Sequence, residues 1–172
     1  MTNATTDIQA ATAVYAQLVT GYFCERAGYA IHRARGTDDY LLTFTLAGRG
    51  RLGYAGGECL VHAGDLTLLK PGAPHDYGVD PVLQSWDFLW THFRPRQHWL
   101  DLLNWPEVAP GLGRLQLKHS AVRRRISARF MQLHRLATGA HNQRDALAMN
   151  ALEEVLLWCD AVNPLGAQAL VD

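Results

Sequence analysis

The clearest candidate for chemistry is His75, which closes the segment "GDLTLLKPGAPH" at residues 64–75. A neutral imidazole can bind a transition metal, but a catalytic metal site needs about three protein ligands. Residues 40–58 contain no histidine, and Glu58 is their only carboxylate. We therefore expect no metal, no cofactor and no metal-dependent catalysis. His75 would then either form a hydrogen bond at the rim of the fold or contact a bound ligand.

A second candidate is the aromatic run "SWDFLWTHF" at residues 85–93. Side chains alternate between the two faces of a strand, so Trp86, Phe88, Trp90 and His92 share one face. Such a stripe can fill a hydrophobic core, because each aromatic ring buries a large area. It can also form a flat wall on which a ligand such as a sugar stacks. The spacing alone leaves both interpretations open.

Composition limits the classes of function. The chain has 172 residues, 16 basic and 16 acidic, and its formal net charge is zero. A domain that grips DNA by itself is usually strongly basic, so we expect no direct DNA contact. The N-terminus has no signal-peptide pattern, and no apolar run could span a bilayer. The three cysteines form no metal or disulfide pattern. These features predict a cytoplasmic protein with no membrane partner.

The elements that must position these residues follow from turn signals and periodicity. Short apolar strands separated by glycine and proline turns fill residues 14–93, which is typical of a sandwich or small barrel. One such strand, at residues 40–48, is expected to end at the Gly48-Arg49-Gly50 turn. Helices are predicted at residues 96–104, 120–139 and 143–162, with Ser120 as an N-cap. The fold class is therefore α+β.

The last predicted helix carries two stripes. Leu152, Val155, Leu156 and Cys159 are placed to pack on the barrel. A second face bears Leu147, Asn150, Leu157 and Ala161 at helical spacings. That face is either the solvent side of a monomer or a seam between two copies of the chain, in which Asn150 would fix the register.

Two resemblances join these observations. The Gly-Asp turn, Pro-Gly turn and His75 resemble a motif of the cupin superfamily, which are small β-barrels with jelly-roll topology. Together with "HFRPRQHWLDLLNWP" (92–106) and "LAMNALEEVLL" (147–157), the chain resembles the N-terminal ligand-binding and dimerisation domain of AraC-type transcription regulators over residues 14–162. This resemblance implies a cupin-like β-barrel followed by two C-terminal helices.

The resemblance also implies a domain plan. Residues 1–13 would be a flexible arm, 14–95 the ligand-binding barrel and 96–162 a helical dimerisation segment. Residues 163–172 would begin a linker to a DNA-binding domain that this sequence does not include. DNA would then be contacted only through that domain, and two copies would form a homodimer through Leu147, Asn150, Leu157 and Ala161.

Site residues carry over in the same way. Arg33, Tyr77 and Trp90 match the ligand-binding residues of arabinose-responsive members of the family, and His75 joins them in the barrel. Phe88 stands where those members have a pocket histidine, so a hydrogen bond to a sugar hydroxyl would be lost, at a cost of roughly 1–3 kcal/mol. The expected function is sensing of a sugar or similar small effector, without catalysis. The alternative is a cupin enzyme acting on a small sugar or organic acid.

Overall fold

The structure, a computed structural model, describes residues 17–166. The predicted arm and the last part of the predicted linker lie outside these residues. Nine strands precede two helices, and a 3₁₀-helix at Gln97–Leu103 follows the seventh strand. The strands are β1 (Leu18–Arg26), β2 (Ala30–Arg33), β3 (Tyr40–Tyr54), β4 (Gly57–His62), β5 (Asp65–Leu69), β6 (His75–Val79), β7 (Ser85–Phe93), β8 (Glu107–Ala109) and β9 (Leu112–Gln116), and the helices are α1 (Ser120–Thr138) and α2 (Arg144–Asp160).

The long strand β3 organises the sheet. Its first half lies between β7 and β5, in the order β1-β7-β3-β5-β9-β8. Its second half pairs with β4 and β6, and β6 pairs in turn with β2. Every pairing between these strands is antiparallel, and the sheet does not close into a ring within residues 17–166. The α+β, cupin-like architecture predicted from the sequence is confirmed.

Two hydrophobic cores lie on opposite faces of the β1-β7-β3-β5-β9 part. On the outer face, side chains such as Phe44, Leu89 and Phe93 pack against α1 and α2. On the inner face, side chains from both parts of the sheet meet. They are Leu41, Leu52, Val61, Leu69, Ala73, Tyr77, Val79, Trp86, Phe88, Trp90 and Leu112. The alternation predicted for residues 85–93 is confirmed, because Trp86, Phe88 and Trp90 face inward while Leu89 and Phe93 face the helices.

Two glycines make room for the inward-facing indoles. A Cβ atom added at Gly21 would lie 2.5 Å from the ring of Trp90, and one added at Gly50 would lie 2.4 Å from the ring of Trp86. Both separations are far below a van der Waals contact, so each indole rests on the backbone of a neighbouring strand. Gly21 is paired with Trp90 in the β1–β7 register. These glycines therefore fix where the large rings lie.

The structure corrects four expectations. Strand β3 continues through Gly48, Arg49 and Gly50, because a bulge near residue 46 and a positive φ of 71° at Gly48 bend the strand without ending it. Strands β8 and β9 were not predicted, and β9 pairs with β5, so the sheet extends beyond residue 95. Ser120 is the first residue of α1, and no side chain caps that helix. The helix at residues 97–103 is of the 3₁₀ type.

Helix α2 buries the stripe that was predicted to face the barrel. Leu152, Val155, Leu156 and Cys159 are fully buried in the outer-face core. The helix is shorter than predicted, because it ends at Asp160 and Ala161 lies just past its end. No helix in residues 17–166 combines the length and the apolar character that crossing a bilayer requires.

Candidate functional site

Seven aromatic rings on the inner face of the sheet form a closed circuit. Neighbouring ring centroids are 3.7–6.3 Å apart. Strands β1, β6 and β7 supply every ring, because their inward positions alternate along each strand. In order around the circuit the rings are those of Trp90, His92, His75, Tyr77, Trp86, Phe88 and Phe23. Four of the five predicted site residues, His75, Tyr77, Phe88 and Trp90, belong to this circuit.

The fifth predicted residue, Arg33, is attached to the circuit through His75. The two residues are paired across β2 and β6, and an Nη1 of Arg33 lies 3.5 Å from Nδ1 of His75. A guanidinium can only donate, so Nδ1 accepts this long hydrogen bond. The proton of the neutral imidazole is then on Nε2. Nε2 is buried and has no hydrogen-bond partner within the described residues.

The surroundings of His75 keep its ring neutral. Burial lowers the pKa of His75 to about 4, and the neighbouring His92 and Arg33 act in the same direction. Asp39 opposes them to a smaller extent. His75 is fully buried, which differs from the position at the rim considered above. At neutral pH it therefore presents an N–H donor, and no charge, to the interior of the barrel.

Trp90 offers a second unpaired donor. Its side chain is buried, and its Nε1–H has no hydrogen-bond partner in the described part of the chain. The indole nitrogen of Trp86, in contrast, donates to the Thr45 hydroxyl at 3.1 Å. Buried polar groups in folded proteins are nearly always paired, so the donors of His75 and Trp90 indicate a place where water or a ligand completes the site.

A histidine–carboxylate pair lies beside both of these donor residues. Nδ1 of His92 lies 2.9 Å from a carboxylate oxygen of Asp39. The His92 ring centroid is 5.9 Å from that of His75 and 5.8 Å from that of Trp90. Burial would raise the pKa of Asp39, but the hydrogen bond and charge of His92 outweigh it, so the pKa lies below its ordinary value. Asp39 is therefore an ionised group that is already engaged.

Tyr77 and Phe88 occupy the opposite side of the circuit. Burial raises the pKa of Tyr77 to about 12, so its hydroxyl stays protonated and can donate or accept. Phe88 stacks on Trp86 with 3.7 Å between ring centroids, and the ring edges of Phe23 and Tyr29 pack near it. This side is therefore the apolar wall of the site.

Several residues of the candidate site were not predicted as site residues from the sequence. Phe23 and Tyr29 come from β1 and the turn after it, where no aromatic stripe was recognised. His92 lies in the recognised stripe, at one position beyond Trp90 on the same face, and that spacing could have selected it. Asp39 carries no local signal, because only the fold brings it to His92.

The predicted dimer residues lie on one exposed side of the C-terminal helix. Leu147 is 43% exposed and Leu157 is 52% exposed. Asn150 is also exposed, and its side-chain oxygen accepts a hydrogen bond from Arg96 at 3.0 Å. Ala161 is exposed just past the helix end. These four residues are far in sequence from the aromatic circuit and belong to a different surface.

A cavity of about 400 Å³ lies outside the barrel, between β8–β9 and the ends of both helices. Leu115, Val122 and Val162 line it, together with the exposed Lys118 and His119. Leu115 points to the outer-face core, so this cavity and the aromatic circuit are on different faces of the sheet. No group of three or more His, Cys, Asp or Glu side chains in residues 17–166 is arranged to hold a metal ion.

Comparison with known proteins places this geometry in a family. The model of the AraC-like ligand binding domain matches residues 20–156, which include the whole aromatic circuit. The chain belongs to this family. It is 34% identical over 146 residues to the arabinose operon regulatory protein of Escherichia coli K12, covering 83% of this chain and 50% of that protein. The resemblance stated from the sequence is confirmed.

A second relative controls a different operon. The MmsAB operon regulatory protein of Pseudomonas aeruginosa is 30% identical over 150 residues, covering 84% of this chain and 47% of that protein. The chain therefore spans about half the length of the curated relatives it matches. Among solved structures, a cupin 2 conserved barrel domain protein from Salinispora arenicola aligns with a TM-score of 0.40 and 21% identity, covering 46% of this chain and 65% of that one.

Proposed function

We propose that this domain senses a small hydroxylated effector, a sugar or a similar molecule, bound inside the barrel. The observation that carries the proposal is the pair of buried N–H donors, Nε2 of His75 and Nε1 of Trp90, that lack partners within residues 17–166 and belong to the aromatic circuit of the inner face. Aromatic faces suit the C–H side of a sugar ring, and a few fixed donors suit its hydroxyls. Arg33 and Tyr77 would complete the polar contacts.

The domain would act within an AraC-type transcription regulator in the cytoplasm and would not be an enzyme. Both relatives described above are operon regulatory proteins, which supports a regulatory role. DNA contact would belong to a separate domain, in keeping with the zero net charge. The cupin-enzyme alternative has less support, because no side-chain set suited to a catalytic metal was found in residues 17–166.

The same proposal includes a homodimer. Leu147 and Leu157 expose apolar side chains ten residues apart on α2, with Asn150 between them. Two such helices from two copies could bury this face against each other, with Ala161 at its end. Asn150 already accepts a hydrogen bond from Arg96, so it would enter the interface partly satisfied.

The test is a thermal-shift and tryptophan-fluorescence screen of pentoses, hexoses, polyols and small aromatic acids. A ligand that binds the native state raises its melting temperature, and one that contacts Trp90 changes its emission. Trp90→Phe keeps a ring but removes the N–H donor, so we expect weaker binding without unfolding. Trp158→Phe, on α2, is the matched control and should leave affinity unchanged.

Phe88→His tests the apolar wall by adding a hydrogen-bonding group to it. If the residue match is right, it restores a donor and improves L-arabinose binding, by roughly 1–3 kcal/mol at most. The proposal fails if no compound stabilises the protein, or if Trp90→Phe and Trp158→Phe affect binding equally.

A further inference from the structure

We propose that the effector carries a carboxylate, which Arg33 binds, and hydroxyls further along that accept from Nε2 of His75 and Nε1 of Trp90. This inference rests on the proposed function, since it names the chemical class of the molecule in that site. If the effector carries a carboxylate, a sugar acid or a similar hydroxylated carboxylate should bind more tightly than the neutral sugar of the same shape.

The first argument is the charge of Arg33. The other half-buried arginines on the strands are each matched by an aspartate: Arg49 with Asp80 at 2.6 Å, Arg51 with Asp76 at 3.0 Å and Arg114 with Asp65 at 2.7 Å. Arg33 has no carboxylate within 4.0 Å among residues 17–166, and its one side-chain partner is the neutral ring of His75.

Two aspartates near His75 are held by other side chains and are not available to Arg33. Asp76 follows His75 directly, but its side chain is held by Arg51 and points to the other face of the strand. Asp39 is held by His92. A partly desolvated guanidinium without a counter-charge is costly, and an anionic ligand group would supply that charge.

The second argument is the polarity of the atoms that point to the site. Arg33 has donors only, Nε2 of His75 is a donor because Nδ1 faces Arg33, and Nε1 of Trp90 is a donor. A hydroxyl both donates and accepts, whereas a carboxylate only accepts. An end of the site built from a guanidinium without a carboxylate partner therefore fits a carboxylate better than a hydroxyl.

The third argument is spacing. The His92 ring is a neighbour of both donor rings, with its centroid 5.9 Å from that of His75 and 5.8 Å from that of Trp90. Nε2 of His75 is on the side of its ring away from Arg33, so a carboxylate held by Arg33 leaves Nε2 and Nε1 of Trp90 without acceptors. The group that accepts from Trp90 must be a second one on the same molecule, which a hydroxylated acid provides.

The experiment uses matched acid and neutral ligands with the wild-type protein. D-galacturonate is compared by calorimetry with its methyl ester and with D-galactose, and L-arabinonate with the open-chain neutral polyol L-arabinitol. We expect at least one acid to bind on the order of tenfold more tightly than its neutral partner, as charge-assisted hydrogen bonds require. Arg33→Gln should remove this preference, and Arg33→Lys should keep part of it.

Arg35→Gln is the control, because Arg35 is exposed two residues further on and carries the same charge. Its acid preference should equal that of the wild type. The inference is overturned if every neutral compound binds at least as well as its acid, or if the preference survives Arg33→Gln. Binding of neutral sugars alone, with the Trp90 dependence described above, would leave the proposed function standing and remove only the carboxylate.

Discussion

Protonation of His75 should make the domain less stable in mild acid. The ring is fully buried, and its pKa falls from 6.5 to about 4 in the folded protein. Between these two values the unfolded chain binds a proton that the folded chain does not. The free energy of unfolding therefore falls as the pH drops from 6.5 to 4, and the contribution is fully present above pH 6.5. The size of this loss is about 3 kcal/mol.

Other groups with shifted pKa values either change charge outside the range from pH 4 to 6.5, or their effect can be separated from that of His75 by mutation. The pKa of Asp39 lies below its ordinary 3.8, so its contribution is lost only at lower pH. Tyr77, with a pKa of about 12, stays neutral. Burial lowers the pKa of His134 on α1, which adds a loss of the same sign. A variant of His75 is therefore needed to isolate its share.

The assay is urea unfolding at pH 7, 6, 5 and 4.5, followed by tryptophan fluorescence. His75→Asn keeps an acceptor near Arg33 but cannot be protonated, so it should lose about 2.5 kcal/mol less than the wild type between pH 7 and pH 4.5. His32→Asn, at an exposed position of the same β2–β6 pair, should retain the wild-type slope. If His75→Asn shows the full wild-type pH dependence, the ring is not held neutral by burial and the reasoning is refuted.

Two further predictions concern packing and assembly. Gly21→Ala should destabilise the domain by roughly 1–3 kcal/mol, because the new methyl group would overlap the Trp90 ring. The loss of stability caused by Gly21→Ala should be smaller in a protein that also carries Trp90→Phe. If urea unfolding shows that the two substitutions are strictly additive, the contact between Gly21 and Trp90 is contradicted. Leu147→Glu with Leu157→Glu should give a folded monomer in sedimentation velocity, since both side chains are exposed and leave the core intact; a wild type that is already monomeric at high micromolar concentration would rule out the dimer.

Local periodicity was enough to predict parts of the fold. The two-residue alternation of β7 identified which aromatics face inward, because the buried inner and outer cores demand opposite faces. The helical spacing of Leu152, Val155, Leu156 and Cys159 identified the buried side of α2 for the same reason. In both elements a strong apolar pattern coincides with a single buried surface.

Elements that depend on distant partners could not be predicted in this way. The glycines of "GRG" are typical of a turn, yet β3 runs through them, because β7 pairs with Gly48 and both β4 and β6 pair with Gly50. Strand β9 has five residues and weak alternation, and its partner β5 lies some fifty residues earlier. Tertiary pairing outweighs local propensity in short strands of this kind.

The candidate site shows the same division at the level of single side chains. The aromatic wall could be predicted, because large rings at alternate positions are visible in the sequence. The polar end could not, because it depends on which charges are already paired: Asp76 is next to His75 in sequence but belongs to Arg51, and Asp39 belongs to His92. Arg33 is distinguished from the other half-buried arginines on the strands, Arg49, Arg51 and Arg114, by having no acidic partner within residues 17–166. That difference exists only in the folded protein, and it is what turns an arginine placed by family resemblance into a candidate for recognition of a charged effector.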